Sequence, residues 1–345
     1  MKEFLPWSTA TYWNSLERYK TGKFSILDIQ LSGQCNYNCV YCDSPYRKTP
    51  SQINFAHLES LITSEAKNFK WIFVCGVGEP LFGENKKQLL RFLILCETLG
   101  IKCTIFTNGS NIDEEIFGYI KRGVLYPLIK IDTFSKELSN DIYGTDNAQK
   151  TLDAIEKLFD FAKNENGTYS SIAASIVPTA KNKNEITTIV KKCLKHNVFP
   201  LIGQLEYAGN AICHFDRLLL TKNELENIKT EVNSIIGSEY KIPICPAVIA
   251  DIHITNNGHV SVDEISGLSC SWFWLKTPKT KDICNTNTLT SFAEAEKKIV
   301  EYRKNVFESL SNIFSQIEVQ PFGGCGGNKK DLLKDYLTLF SEEKL

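Results

Sequence analysis

Short apolar runs alternate with amphipathic segments between residue 24 and about residue 205. Six of the apolar runs are predicted to be strands: 24–31, 71–75, 103–107, 128–132, 171–177 and 198–205. Between them, the segments "LDAIEKLFDFA" and "NEITTIVKKCLKH" place apolar residues at helical spacing. Strand and helix repetition of this kind predicts a parallel sheet with helices packed outside it.

Polar and glycine-rich loops follow four of the predicted strands. They are "SGQCNYNC", "GVGEPLFGEN", "TNGSN" and "TFSKELSND". Barrels of parallel strands carry their sites at the carboxyl ends of the strands. The pattern therefore predicts an α/β fold built as a partial parallel (β/α)6 TIM-like barrel, with an open doubly wound sheet as the alternative.

The pattern changes after residue 210. A helix is predicted over 221–237, a hairpin over 251–263, a long helix over about 291–317 and a last helix over about 329–342, after the break "FGGCGG". Three parts are therefore expected. They are an N-terminal extension (1–23), the barrel (24–210) and a small C-terminal α+β domain (211–345).

Parity sets the register of the predicted hairpin. A two-residue turn would pair Ile254 with a serine, whereas a three-residue loop pairs Ile254 with Val260 and keeps the apolar side chains on one face. The predicted loop is Asn256-Asn257-Gly258, with Gly258 in the left-handed conformation.

Charge and composition bear on the binding partners and the cellular location of the protein. The 345 residues include 39 basic and 40 acidic ones, which gives no support for binding nucleic acid or an acidic membrane. The N-terminus, interrupted by Pro6, lacks the apolar run of a secretory signal, and no long apolar stretch predicts a membrane span. A cytoplasmic protein is expected.

In a reducing compartment the twelve cysteines are thiols, metal ligands or redox groups rather than disulfides. Four of them lie within apolar patterns and are assigned to the core: Cys75, Cys96, Cys103 and Cys193. The five histidines form no pair at metal-binding spacing and are interpreted as surface or packing residues.

Three cysteines cluster in the loop after the first strand of the predicted barrel. Cys35, Cys39 and Cys42 form a C-x3-C-x2-C pattern. Three thiolates in one tight loop can hold an iron–sulfur cubane and leave one iron open to another ligand. A structural zinc would need four ligands, and no second C-x2-C pair is nearby, although zinc stays as the alternative.

With "CNYNCVYC" after a strand, the chain resembles the radical S-adenosylmethionine (SAM) enzymes over roughly residues 24–210. The resemblance implies that Cys35, Cys39 and Cys42 hold a [4Fe-4S] cluster whose open iron binds SAM. It also implies reductive cleavage of SAM to a 5′-deoxyadenosyl radical, and it places Tyr41 against the adenine.

Further segments match this family in the expected order. "GVGEP" resembles the Gly-Gly-Glu-Pro segment that holds the methionine amino group, which implies roles for Gly76, Gly78 and Glu79, while Val77 departs from the pattern. Other implied SAM-binding residues lie at the ends of later strands: Asn108, Lys130, Asp132 and Ser175. "LEYAGNA" resembles the stretch near the adenine.

The C-terminal part resembles the extensions called SPASM or twitch domains, which bind auxiliary clusters. The implied ligands of one auxiliary [4Fe-4S] cluster are Cys245, Cys270, Cys284 and Cys325. Four unrelated buried thiols are the alternative. Cys213, after the sixth strand, is a candidate hydrogen donor by resemblance to radical epimerases, although a plain half-buried thiol is the simpler interpretation.

Together these features predict a radical SAM enzyme that abstracts hydrogen from an unactivated carbon of a peptide or other natural-product precursor, giving maturation, cross-linking, oxidation or epimerisation. Expected partners are a reductant such as flavodoxin or ferredoxin and, because little precedes the first strand, a separate peptide-recognition protein. The alternatives are a dehydrogenase or epimerase of a sugar or aminoglycoside, and a non-catalytic iron–sulfur or zinc sensor or binding module.

Overall fold

A computed structural model describes residues 3–7, 26–42, 49–203, 205, 209–236, 252–264, 267 and 280–313, with side chains as far as residue 306. Its strands are β1 Glu3–Phe4, β2 Ile26–Ile29, β3 Trp71–Val74, β4 Lys102–Thr107, β5 Leu125–Lys130, β6 Tyr169–Ser170, β7 Ala173–Ile176, β8 Phe199–Ile202, β9 Ile252–Ile254, β10 His259–Asp263 and β11 Thr280–Asn285.

The helices lie between these strands and after them. They are α1 Phe55–Ser64, α2 Gly83–Leu99, α3 Glu114–Lys121, α4 Lys136–Tyr143, α5 Gln149–Ala162, α6 Ile186–Lys195, α7 Ala211–Leu218, α8 Lys222–Ile236 and α9 Phe292–Ile313. Short 3-10 helices span Leu5–Trp7, Ala66–Asn68 and Thr286–Thr288. No helix in the described ranges is long and apolar enough to cross a membrane.

The main sheet has the strand order β11-β10-β9-β2-β3-β4-β5-β7-β8. All neighbours from β9 to β8 in this order are parallel, and β10 and β11 continue the sheet in antiparallel pairing. Among the described strands, this sheet does not close on itself. The predicted partial TIM-like barrel is confirmed, and each of the six predicted strands is present.

The register gives the sheet two different faces. Leu27, Ile72, Cys103 and Leu125 lie side by side on one face and are buried, as an apolar surface covered by helices requires. Because side chains alternate along a strand, the opposite face carries the residues between them. We call it the polar face; its members include Asp28, Gln30, Cys75, Lys130, Ser175 and His253.

The hairpin has the register that its parity predicts. Val260 pairs with Ile254, and Gly258 has a φ of +81°. Gly258 N–H also donates to the Thr255 carbonyl at 2.9 Å, which closes the three-residue loop. Because β9 pairs in parallel with β2, the hairpin extends the main sheet. The predicted domain boundary at residue 210 is therefore not a boundary of the sheet.

Candidate active site

Backbone hydrogen bonds hold the cysteine loop, residues 30–42, from two sides. Asn38 N–H donates to the Tyr143 carbonyl and Val40 N–H to the Ile142 carbonyl, both at 2.9 Å. On the other side, Asn210 N–H donates to the Cys42 carbonyl at 2.8 Å. The loop is therefore held in place by hydrogen bonds of its main chain.

Cys39 lies near both other cysteines of the loop. Each of the three is half-buried. Burial raises the pKa of Cys39 to about 12, Lys130 opposes this rise, and the neighbouring thiols Cys42 and Cys35 add to it. Thiols that influence one another in this way need a positively charged partner to ionise together.

Within the described ranges, no three His, Cys, Asp or Glu side chains are grouped to hold one metal ion. A cubane spreads its thiolates over different irons and so spaces them more widely than a single ion does. The three thiols of the loop are the type of ligand that an iron–sulfur cluster takes, whereas a structural zinc would need a fourth ligand.

The turn "GVGEP" packs directly under the cysteine loop. Gly78 has a φ of +66°, and a Cβ at this position would lie 2.2 Å from the Ser32 carbonyl oxygen. Only glycine fits such a close approach of two backbones. Val77 departs from the family pattern. It is buried and does not have a positive φ, so the backbone of the turn does not require glycine at this position.

Lys130, Tyr41 and Asp132 connect the loop to the polar face. The Tyr41 hydroxyl donates to Asp132 Oδ2, and Lys130 Nζ lies 4.4 Å from the centre of the Tyr41 ring. The second Asp132 oxygen accepts from Val177 N–H at 3.1 Å. Burial raises the pKa of Asp132, and Lys130 opposes this rise.

The comparison with known proteins agrees with this geometry. Residues 29–174 match the Radical SAM superfamily. The chain carries a radical SAM domain. The uncharacterized protein MJ0804 of Methanocaldococcus jannaschii is 29% identical over 166 residues, which cover 48% of this chain and 51% of that protein. This chain thus matches about half the length of that curated relative.

Two solved structures share the fold. Streptococcus suis SuiB bound to its precursor peptide SuiA has a TM-score of 0.57 and 16% identity, over 86% of this chain and 70% of SuiB. Native anSMEcpe with bound AdoMet and the Cp18Cys peptide has a TM-score of 0.52 and 14% identity, over 92% of this chain and 97% of that chain. At these identities the likeness shows the fold alone. The match of residues 29–174 to the Radical SAM superfamily supports a [4Fe-4S] cluster and SAM as cofactors.

Glu79 of the radical SAM domain faces the end of β4. Its carboxylate accepts from the Thr107 hydroxyl at 2.5 Å, Asn108 N–H at 2.8 Å and Leu81 N–H at 3.0 Å. The residue is 3% exposed, and burial raises its pKa to about 7. Glu79 therefore joins the "GVGEP" turn to the "TNGSN" loop in this structure, and the predicted contact with the methionine amino group stays a prediction.

The raised pKa of Glu79 predicts a pH-dependent stability. The native state of the cofactor-free protein keeps a proton that the unfolded state loses above pH 4.5, so stability falls as the pH rises from 4.5 to about 7. We expect this loss, on the order of 3 kcal/mol, to be absent in Glu79→Gln. Denaturant unfolding of both proteins across this range is the measurement, and parallel pH profiles would contradict the expectation.

Asn85, in the first turn of α2, is a site residue that the sequence reasoning missed. Its Oδ1 accepts from Ser32 N–H at 2.9 Å, and its Nδ2 donates to the carbonyls of Ser32 at 3.0 Å and Glu79 at 3.1 Å. The residue is buried. One amide thus ties the start of the cysteine loop to the "GVGEP" turn.

Tyr143 and Gly144, at the end of α4, were also missed. Gly144 has a φ of +57°, and a Cβ there would lie 2.3 Å from the Asn38 carbonyl oxygen. The Tyr143 ring stacks on Tyr37, with centroids 5.8 Å apart. The only signal in the sequence is a glycine after an apolar helix face, which is typical of any helix C-terminus.

The remaining predicted SAM-binding residues lie at strand ends. Asn108 Nδ2 donates to Asn36 Oδ1 at 3.0 Å and so connects the "TNGSN" loop to the cysteine loop. Ser175 is half-buried and pairs with Lys130 in the sheet. Asp132 is fully buried with both carboxylate oxygens hydrogen-bonded, so in this structure it positions Tyr41 and offers no surface to a ligand.

Several cysteine predictions have different outcomes. Cys96, Cys103 and Cys193 are buried as predicted. Cys75 is only half-buried, and its thiol donates a hydrogen bond to Asp28. Cys213 is exposed on α7, and its role as a hydrogen donor stays a prediction. Cys284 lies in β11, and its role as an auxiliary ligand stays a prediction. The other predicted auxiliary ligands lie outside the described residues: Cys245, Cys270 and Cys325.

Proposed function

We propose that this protein is a radical SAM enzyme that abstracts hydrogen from an unactivated carbon of a peptide. The observation that carries the proposal is a loop of three neighbouring cysteines whose backbone is held by hydrogen bonds, within the residues that match the Radical SAM superfamily. When bound, the cluster and SAM supply the radical that starts the chemistry.

The chain's own residues would hold and orient these groups. Cys35, Cys39 and Cys42 are the proposed cluster ligands, and the turn around Gly78 is the proposed support for the methionine end of SAM. Lys130 would offer its ammonium to a carboxylate, because it makes no salt bridge with any described residue and lies beside the loop. Asp132 fixes the Tyr41 ring through its hydroxyl.

A peptide substrate is favoured by the solved structures of the same fold. The SuiB structure contains a precursor peptide, and the anSMEcpe structure contains AdoMet with a peptide. We also propose a reductant of the flavodoxin or ferredoxin class, a separate peptide-recognition protein, and an auxiliary cluster that includes Cys284. Iron that stays bound after the cluster of the cysteine loop is lost would be evidence for the auxiliary cluster.

The proposal is tested by anaerobic reconstitution followed by dithionite and SAM. We expect the wild type to form 5′-deoxyadenosine and Cys39→Ala to form none, because loss of one thiolate removes a ligand of the cluster. Cys193→Ala is the matched control, since that thiol is buried in the core, and it should keep the activity. Tight zinc without iron, and no 5′-deoxyadenosine, would support the sensor or binding-module alternative instead.

The substrate class is tested separately by isotope transfer. A candidate precursor peptide deuterated on its side chains should accelerate the formation of 5′-deoxyadenosine and pass deuterium to it. Transfer from a deuterated sugar or aminoglycoside, with none from peptides, would contradict the peptide proposal while leaving the radical SAM activity in place.

A further inference from the structure

A second polar cluster lies on the polar face, away from the cysteine loop. The Cys75 thiol donates to Asp28 Oδ1 at 3.1 Å, and His253 Nδ1 lies 2.8 Å from Asp28 Oδ2. Asp28 thus sits between a thiol and an imidazole. The proposed roles of the SAM-binding residues make no use of these three side chains.

The three residues come from neighbouring strands and share one face with Lys130. Asp28 in β2 is directly opposite His253 in β9 and Phe73 in β3, and Cys75 is two residues after Phe73. Phe73 pairs with Thr104 in β4, and Thr104 pairs with Tyr126 in β5. Lys130 lies four residues after Tyr126 on the same strand and is therefore on the same face of the sheet. Since Lys130 lies over the ring of Tyr41, the cluster shares the face that the cysteine loop meets.

Cys75 is more exposed to solvent than Asp28 and His253. Asp28 is 3% exposed and His253 is 4% exposed, whereas Cys75 is only half-buried. Cys75 also comes directly before Gly76, at the carboxyl end of β3, where the "GVGEP" turn begins. The thiol is therefore the member of the cluster that can meet a bound molecule.

The order of the three groups differs from that of an activated nucleophile. In nucleophilic triads an imidazole contacts the nucleophile and takes its proton, while the carboxylate lies behind the imidazole. Here the carboxylate contacts the thiol, and a negative charge beside sulfur disfavours the thiolate. The hydrogen bond from the Cys75 thiol to Asp28 therefore fixes the position of the sulfur.

We propose that Cys75 is a hydrogen-atom donor to a carbon radical on the polar face, with Asp28 and His253 as positioning residues; this inference rests on the proposed radical SAM function. The S–H bond breaks and a C–H bond forms, so the carbon radical is quenched and a thiyl radical remains. One electron from the low-potential carrier proposed above, and one proton from solvent, restore the thiol.

The donor role is tested with SAM and dithionite in D2O, without substrate. The Cys75 S–H exchanges with solvent, so its transfer labels 5′-deoxyadenosine with one deuterium. We expect wild type and Cys193→Ala to give the labelled product, and Cys75→Ala to form 5′-deoxyadenosine with the label lost. Label retained in Cys75→Ala, or lost in Cys213→Ala, would overturn the proposal.

The two proposals fail in different ways in this experiment. Unlabelled 5′-deoxyadenosine from the wild type overturns the donor role alone. Absence of 5′-deoxyadenosine overturns the proposed function and the donor role with it.

The role of Asp28 has a readout that needs no cofactor. Iodoacetamide alkylation of Cys75 near neutral pH, followed by peptide mass spectrometry, should be about tenfold faster in Asp28→Asn, because removing the negative charge favours the reactive thiolate. Cys193, which is fully buried, is the internal control for an intact fold and should stay unmodified in both proteins. An equal or slower rate at Cys75 with Cys193 protected, or modification of both, would overturn the assigned role of Asp28.

Discussion

Gly144→Ala is expected to lose the iron of the cysteine loop, while Gly100→Ala keeps it. Both glycines end a helix in the left-handed conformation, with φ of +57° at Gly144 and +69° at Gly100. Both substitutions therefore carry the same backbone penalty of roughly 1 kcal/mol. A Cβ at Gly144 would lie 2.3 Å from the Asn38 carbonyl oxygen, whereas a Cβ at Gly100 meets nothing within 4 Å.

The difference between the two variants isolates the contact with the cysteine loop. To make room for the new methyl group, residues around Asn38 must move, and Cys39 moves with them. Iron content and the cluster absorbance after reconstitution, with thermal unfolding as the check on folding, measure the effect. Equal iron in both folded variants would show that the end of α4 does not position the thiols.

Asn85→Asp is expected to destabilise the protein by about 3 kcal/mol, because it buries a charge against two carbonyl oxygens that now accept from the amide. These carbonyls belong to Ser32 and Glu79, at 3.0 and 3.1 Å. Asn164→Asp is the matched control. Its amide also donates to a carbonyl, that of Asp160 at 2.9 Å, but on an exposed surface.

Urea unfolding of the two variants and the wild type measures this effect. The Asn164 variant should stay within about 0.5 kcal/mol of the wild type, as exposed substitutions usually do. Reconstituted Asn85→Asp should also bind less iron, since the start of the cysteine loop loses its anchor. A free energy of unfolding like that of the control would show that Asn85 is not a structural link between the two loops.

The strands and the order of the motifs could be predicted because both are local. Each strand of the barrel is a short apolar run bounded by polar residues, and parity alone placed Ile254 opposite Val260. The cysteine loop could be singled out for the same reason, since its three cysteines are close in the sequence, while their role as ligands stays a prediction.

Contacts between distant segments could not be predicted in this way. Asp28 and His253 are 225 positions apart, and their pairing depends on β9 joining the sheet beside β2, which the predicted division at residue 210 did not anticipate. A charged residue inside the apolar run "ILDI" was the available signal, because a buried carboxylate needs a partner. The orientation of Glu79 and Asp132 toward protein groups likewise depends on tertiary packing.

The most direct test of the central claim uses SAM labelled with ¹⁵N at its amino group. If Cys35, Cys39 and Cys42 hold a cluster with one iron open to SAM, as proposed, electron–nuclear double resonance on the reduced, reconstituted protein should show coupling between this nitrogen and the cluster. A variant with alanine at all three positions should show none. A cluster of normal iron content in the wild type, without coupling to the label, would contradict the account.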